Sequence, residues 1–487
     1  MIYNQDTKAI PFIPQKITSA AMLTYLAALV ACLVVYQTYA LEWKWTLFGL
    51  VEVVGFFYFS NYFSKAWINF SPRTFIKHIF WWGFALRALW VIISYLLYMD
   101  WTGTAFSIGA ADELFYNDAA CYGASLMRAG DWNIYSGIMK YAGNIAFSDM
   151  GYPMYLSVIY YIFGDSILIA RIIKAIWSAW TAVLIYKLAV RNFGEYTGRM
   201  AAIMCLLMPN LIYYCSFQLK EVEMVFLAIL FAERADHLLR KGKLTLMPTT
   251  LLMLIPAYMF MIRTALAATL VLAFFCALLL SSDRVISWGR RTLLIIAAAV
   301  FAIIMLLTST SIGNDVRQMW ETRGSGQKAN MEWRSQRSGD LSQTFARYAG
   351  ATVFAPMIFT IPFPTMAETP GQENQKMIHG GNFVKNIISF FTIMALFVLL
   401  FSGKWRQHVL PLAIFIGYLI VLVFSSFAHS ERFHMPALPF SLMFAAYGIS
   451  IMKQKKWINR YFPYWCLLMF LATLAWNWFK LAGRGMI

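Results

Sequence analysis

The sequence predicts an all-α polytopic membrane protein, and three observations lead to that fold class. Of its 487 residues, 60% are hydrophobic and only 13% are charged, against about 25% charged residues in ordinary soluble domains. The mean hydropathy is +0.60, so the polar surface is too small to cover the chain in water. Uncharged runs such as 20–39 and 293–308 match the roughly 20 residues that a helix needs to cross a bilayer.

The apolar runs predict about thirteen transmembrane helices, with the N-terminus and the short basic loops inside. The run 244–280 is too long for one helix, so we divide it into two spans with Arg263 at the outer turn. The other predicted spans cover about 19–38, 46–63, 79–98, 166–190, 200–215, a helix returning to Arg234, 292–309, 387–402, 408–426, 437–452 and 462–480.

Two apolar segments do not fit this pattern of spans. Residues 151–163 are short for a crossing and rich in tyrosine, which favours a helix lying at the outer interface. Residues 349–366 are interrupted by Pro356, Pro362 and Pro364, which favours a re-entrant or surface-lying piece.

Four regions follow from this reading. Residues 1–78 hold an additional helix pair and a cytoplasmic loop, and 79–309 form a transmembrane core. The core contains a large outer loop, 99–165, in which residues 112–128 have the periodicity of an amphipathic juxtamembrane helix. A second long outer loop, 310–386, is expected to act as a flap, and 387–487 form the C-terminal helices.

The net charge of +17 is expected to serve the membrane rather than nucleic acid. Most basic residues lie in short loops between apolar runs, where the positive-inside rule and anionic headgroups explain them. No compact basic domain is present to bind a nucleic acid. The six cysteines have no CxxC spacing, so neither a zinc site nor a disulfide framework is predicted.

Acidic residues in the first outer loop are the candidates for catalysis. Placing carboxylates close to the hydrocarbon of a bilayer costs free energy. The presence of Asp112, Glu113 and Asp149 in a loop beside the membrane therefore suggests a functional site. The alternative is that Asp112 and Glu113 only complement the dipole of a helix that begins there. Glycosyl transfer from a phosphate-linked donor would use such a carboxylate to take the acceptor proton and to stabilise the positively charged sugar.

Cations at outer helix ends are the candidates for binding a phosphate. Lys220, Arg263 and Arg432 all lie on the predicted outer side, and arginine in particular suits a phosphate group. Each of them could instead extend to the lipid headgroups. His429, Glu431 and His434 could join Asp112 around a divalent cation, but their spacing is not a known ligand pattern, so no metal site is assigned.

The order of several short motifs resembles one family. The motifs are Asp112-Glu113 followed by Tyr116, Gly130-Asp131-Trp132, Gly151-Tyr152-Pro153, Gly164-Asp165-Ser166, Ala170-Arg171, Arg191-Asn192-Phe193-Gly194, Pro209 with Tyr213-Tyr214, and Glu431-Arg432-Phe433 with Pro436 and Pro439. They are similar to those of the glycosyltransferase family 39-like proteins, which include protein O-mannosyltransferases and the aminoarabinose transferase of lipid A and have the GT-C fold.

The resemblance implies an inverting transfer from a polyprenyl-phosphate sugar on the periplasmic face of a bacterial inner membrane. The acceptor would be a cell-envelope glycan, lipid or protein. The family's catalytic acid in the first outer loop corresponds to Asp112, with Glu113 beside it and Tyr116 and Tyr152 among the substrate-binding residues. The chain departs from the family at Asp149-Met150-Gly151-Tyr152-Pro153, where the lipid A enzymes have Glu-Lys-Pro-Pro. Because that lysine is absent, phosphate binding would fall to Arg263 and Arg432.

Two other functions remain open from the sequence. A lipid-linked polysaccharide polymerase or ligase would share an outer-face site and differ only in using a diphosphate-linked donor. A flippase or transporter of lipid-linked oligosaccharide would place charges deep within several helices, whereas the acids here collect at one face.

Overall fold

The computed structural model describes residues 9–143, 147–241, 246–281, 357–424 and 430–487, with five single positions between 289 and 300. These residues are predominantly helical, and in the described part of the chain the only β pairing is an isolated bridge between Ala40 and Ala367. The chain is therefore an all-α protein, as predicted. We number the described helices α1 to α18 in chain order.

Six described helices are long and apolar enough to cross a membrane, which makes the chain an integral, multi-pass membrane protein. They are α1 (Gln15–Val35), α2 (Trp43–Ala66), α3 (Pro72–Thr102), α7 (Ile167–Phe193), α14 (His379–Phe401) and α18 (Lys456–Gly483).

A seventh span is possible where α8 (Glu195–Leu207) and α9 (Pro209–Tyr213) meet at a bend of 52°. Pro209 has no N–H to offer the carbonyl of Cys205 four residues earlier. Arg87 of α3 replaces that donor, because its guanidinium donates to the carbonyls of Cys205 at 3.1 Å and Leu206 at 3.0 Å. The buried Arg87 side chain thus satisfies the backbone carbonyls that the helix break leaves without a donor.

The predicted count of about thirteen spans is not confirmed. Several predicted spans are helices too short to qualify by length, and the predicted span 292–309 falls largely outside the described residues. The helices that are too short are α11 (Leu246–Phe260), α12 (Thr264–Leu280), α15 (Val409–Phe424) and α17 (Leu438–Ser450). Helix α10 (Glu221–Lys241) is long enough to span but is not sufficiently apolar.

Three helices between α3 and α7 form a unit beside the bundle. They are α4 (Ala111–Arg128), α5 (Ile134–Tyr141) and α6 (Phe147–Phe163). The amphipathic helix predicted at 112–128 is therefore confirmed as α4, and α6 is too short to count as a span. The unit has a small core of its own, formed by Ala119, Met127, Ile134, Ile138 and Met150.

The proline-broken segment is buried rather than surface-lying where the structure describes it. Between residues 357 and 372 the backbone is irregular, and several of its backbone polar groups are satisfied by side chains of α14 and α18. Asn386 donates to the carbonyl of Pro362, and Asn477 pairs with the carbonyl of Pro364 and the N–H of Met366. Irregular backbone at membrane depth is stable only when protein surrounds it in this way.

The end of the predicted 310–386 loop is helical. The short helix α13 (Glu373–Met377) precedes α14, which begins at His379 rather than near residue 387. Residues 310–356, the main part of the predicted flap, lie outside the described residues.

Candidate functional site

An arginine joins the first outer loop to the last third of the chain. Asp112 lies in the first turn of α4, and Arg432 lies in the short helix α16 (Glu431–His434). The Arg432 Nη1 atom is 2.5 Å from Asp112 Oδ2, and its Nε donates to Glu221 Oε1 at the start of α10. Burial acts to lower the pKa of Arg432, but Glu221 and Asp112 outweigh burial and raise that pKa above its usual range.

A second ion pair joins α6 to the start of α10. The Lys220 ammonium contacts the carboxylate of Asp149 and also donates to the carbonyls of Ile262 at 2.7 Å and Ser148 at 3.2 Å. The Tyr116 hydroxyl donates to Asp149 Oδ1 at 3.0 Å. Burial acts to raise the pKa of Asp149, but Lys220 and this hydroxyl lower it below its usual range.

Arg263 brings the two pairs together. It occupies the N-cap position of α12, just after the end of α11 at Phe260, so the predicted turn between these two helices lies at this residue. Its guanidinium lies 4.4 Å from the centre of the Phe433 ring, and the guanidinium of Arg432 lies 5.7 Å from the same ring. Arg263 also interacts electrostatically with Asp149 and Lys220. Three carboxylates and three cations therefore form one charged cluster: Asp112, Asp149, Lys220, Glu221, Arg263 and Arg432.

Exposure separates the members of the charged cluster into reachable and enclosed groups. The side chain of Asp112 is 58% exposed and that of Asp149 is 36% exposed, whereas those of Lys220 and Glu221 are only 2% and 3% exposed. A ligand from solvent or membrane would therefore meet the two aspartates first.

Glu113 lies behind the charged cluster and does not face its open side. Its carboxylate accepts hydrogen bonds from Ser107, from Arg171 Nη2 at 3.2 Å and from the N–H of Gln218 at 2.7 Å. The residue is 2% exposed. The structure places Glu113 where its side chain holds the loop that leads to Lys220, and its expected catalytic role stays a prediction.

Tyr152 is also enclosed, although it was expected to bind substrate. Its hydroxyl accepts from the ammonium of Lys174 at 2.8 Å, and its ring packs edge-on against Tyr116 at 5.2 Å. The residue is fully buried. It therefore supports Tyr116 from behind, while Tyr116 itself contacts the charged cluster.

Lys174, which helps to fix the loop before Lys220, was not predicted from the sequence. Lys174 donates to the carbonyls of Phe217 at 2.7 Å and Leu219 at 2.5 Å, and it lies 3.8 Å from Glu223. Together with Arg171 it supplies two buried cations, three positions apart, in the membrane-spanning helix α7. Cations within a spanning helix are costly unless they have partners, and that cost is the signal by which Lys174 could have been found in the sequence.

Glu221 is a member of the charged cluster that was not among the predicted site residues. In the structure it is the second carboxylate on Arg432, and its Oε2 atom has no hydrogen-bond partner among the described residues. For a metal ion, the described residues contain no group of three His, Cys, Asp or Glu side chains that could bind one. His429, one of the four residues considered for that role, lies outside the described residues.

The fold and the charged cluster define a class, the multi-pass, all-α integral membrane protein with a concentrated polar site at one end of its helices. Comparison with family models, with curated proteins and with solved structures finds no match to the chain. The GT-C assignment therefore depends on the sequence motifs alone.

Proposed function

We propose that the chain is a membrane glycosyltransferase that moves a sugar from a polyprenyl-phosphate donor to a glycan, lipid or protein acceptor of the cell envelope. The observation that carries this proposal is the charged cluster, in which the reachable carboxylates Asp112 and Asp149 each contact a cation. Such a cluster offers a base and a phosphate site side by side. We assign the protein to the bacterial inner membrane, with the charged cluster on the periplasmic face that the loop charges predict.

In the proposed reaction the acceptor hydroxyl attacks the anomeric carbon of the donor sugar. The bond from the acceptor oxygen to that carbon forms while the bond from the carbon to the phosphate oxygen breaks. The acceptor proton passes to the Asp112 carboxylate, and the polyprenyl phosphate leaves with the electron pair. Attack opposite the leaving group inverts the anomeric configuration, and a nearby carboxylate stabilises the positive charge that develops on the sugar.

Asp112 is the better candidate for the base because Asp149 is more firmly held. Asp149 is bound by Lys220 and by the Tyr116 hydroxyl, and its lowered pKa makes it a weaker proton acceptor. Asp112 is the more exposed of the two, and its contact in the charged cluster is with Arg432. We assign Asp149 to the positioning of Lys220.

The cations of the charged cluster would act on the leaving group. A donor phosphodiester carries one negative charge, and the departing phosphate monoester carries up to two, so cations stabilise the transition state more than the ground state. Arg432 and Arg263 can each form paired hydrogen bonds to phosphate oxygens. A phosphate on Arg432 would displace Asp112, so donor binding would free the base for its proton transfer.

A donor panel tests this proposal. Purified protein in lipid nanodiscs is given polyprenyl-phosphate sugars, matched polyprenyl-diphosphate sugars and an acceptor extract from the envelope, and the release of free lipid phosphate is measured. We expect release from one monophosphate donor, coupled one-to-one to the appearance of the sugar on an acceptor. Nanodiscs that contain a heat-inactivated sample provide the background rate.

Two results would contradict the proposal in different ways. Turnover of only the diphosphate-linked donor would assign the charged cluster to a polymerase or ligase. Movement of the intact lipid-linked sugar across the bilayer of sealed vesicles that contain the protein, with no bond broken, would assign the chain to a flippase.

A further inference from the structure

A groove of about 580 Å³ lies between the end of α14 and the beginning of α18, and no member of the charged cluster lines it. Its walls are mainly apolar and aromatic, and its two polar lining residues are Ser402 and Lys455. The main lining residues are Met394, Phe397, Phe401, Lys455, Trp457 and Tyr461.

Lys455 belongs to a cluster of neighbouring cations with no carboxylate to balance them. Lys453, Lys455, Lys456 and Arg460 fall within eight positions and are all exposed. None of the four forms an ion pair with a described residue. The sequence itself excludes a local partner, because no Asp or Glu occurs between Glu373 and Glu431 or from Arg432 to the last residue. Both helices that form the groove therefore lack acids.

The exposed aromatic side chains that line the groove are of the kinds found where membrane proteins contact lipid acyl chains and headgroups. Phe401 is 85% exposed at the last turn of α14, and Tyr461 is 52% exposed on α18. Tyrosine and tryptophan are enriched where hydrocarbon meets headgroups, and basic pockets between membrane helices on the cytoplasmic side bind acidic headgroups. Loop charges predict this end of both helices to be cytoplasmic.

We propose that this groove is a binding site for one anionic phospholipid. Its phosphate would lie at Lys455, with Lys453 and Lys456 contributing charge, and one acyl chain would follow the groove between Phe397 and Tyr461. The arguments are the unbalanced positive charge and the continuous apolar wall below it. The proposal is independent of the glycosyltransferase assignment.

Native mass spectrometry of the full-length protein with added lipid tests this site. Phosphatidylglycerol is titrated against phosphatidylethanolamine for the wild type, for the double variant Lys455→Gln/Lys456→Gln and for the control Lys404→Gln/Arg406→Gln. The control residues are exposed and basic, and they follow the same end of α14 without lining the groove. Each basic residue contributes about 1 kcal/mol to anionic-lipid attraction, so the first double variant should bind phosphatidylglycerol about 30-fold more weakly.

The expected pattern is one tightly held phosphatidylglycerol in the wild type and in the control, and its loss in the groove variant. Equal loss in both double variants would reduce the effect to general surface attraction and overturn the proposal. Equal retention of the two lipids by the wild type would overturn it as well. A Phe397→Ala variant adds a second readout, since loss of the apolar wall should weaken binding of long-chain more than short-chain phosphatidylglycerol.

Discussion

Asp112 and Arg432 lie 320 positions apart in the chain and form a direct ion pair. The contact joins the helix that opens the first outer loop to the short helix before α17. Because Arg432 also holds Glu221, three distant segments meet on one guanidinium. The shared contacts of Arg432 therefore join residues from three segments into one site.

Replacing Arg432 with lysine should damage both the charged cluster and the fold. Arginine uses two separate nitrogens, Nη1 and Nε, for its two carboxylates, and a single ammonium cannot reach both positions. Glu221, only 3% exposed, would then be left without its cation. Loss of one partner of a buried pair costs about 3 kcal/mol, so thermal unfolding in detergent should shift clearly downward.

The exposed pair of Arg128 and Asp165 provides the matched control for this change. Both side chains are more than 40% exposed, so Arg128→Lys should leave thermal unfolding close to that of the wild type. An Arg432→Lys protein as stable as this control would contradict the bridging role.

Substitutions of Lys174 and Glu223 should have strongly non-additive effects on the free energy of unfolding. Lys174→Met removes the donor from the carbonyls of Phe217 and Leu219 and leaves Glu223 buried beside an apolar side chain. We expect a loss of about 3–5 kcal/mol in unfolding free energy. The double variant Lys174→Met/Glu223→Leu should recover part of that loss, because no unpaired charge remains buried. A double variant less stable than Lys174→Met would contradict this expectation.

The pair of Asp149 and Lys220 predicts a specific pH dependence. A carboxyl whose pKa is lowered by folding stabilises the protein above its ordinary pKa, about 4, and that contribution is lost as the pH falls through the lowered value. The melting temperature of the wild type should therefore exceed that of Asp149→Asn at pH 7. The difference should shrink below about pH 4. A difference that stays constant down to pH 3 would show that the pair does not stabilise the fold.

Gly151 allows the close approach that brings Asp149 to Lys220. Its N–H donates to the carbonyl of Met261 at 2.8 Å, and a Cβ at this position would lie 3.0 Å from that same oxygen. Gly151→Ala should push α6 away from the turn before Arg263, at a cost of about 1–3 kcal/mol. Donor affinity should fall with it, because the Asp149 side chain would move as well.

Gly55 of α2 is the control for this substitution, since an added Cβ there would meet no atom within 4 Å. Gly55→Ala should keep or slightly raise the melting temperature, because alanine is the better helix former. If Gly151→Ala and Gly55→Ala changed the melting temperature equally, close packing at Gly151 would not explain the effect.

The sequence was informative where the signal is local. The periodicity of residues 112–128 identified α4 to within one residue, and the single cation in the run 244–280 identified the turn at Arg263. It was uninformative where partners are distant. Neighbouring residues Asp112 and Glu113 have the same local pattern, yet one is exposed at the charged cluster and the other is enclosed by Arg171.

Span length was the other property that local patterns could not determine. Hydropathy reports how apolar a run is, but not where a helix bends or ends within it. The bend at Pro209 depends on Arg87, which is more than one hundred residues away in the chain. The same is true of the irregular backbone at Pro362, which is stable because Asn386 of another element donates to it.

The most direct measurement for the proposed function compares Asp112→Asn with Asp118→Asn. Both aspartates are exposed on α4, but only Asp112 belongs to the charged cluster. With an active donor from the panel, Asp112→Asn should lower the transfer rate about 100- to 10,000-fold, as loss of a general base does, while Asp118→Asn should stay near the wild-type rate. Transfer by a folded Asp112→Asn protein at the wild-type rate would contradict the assignment of Asp112 as the base.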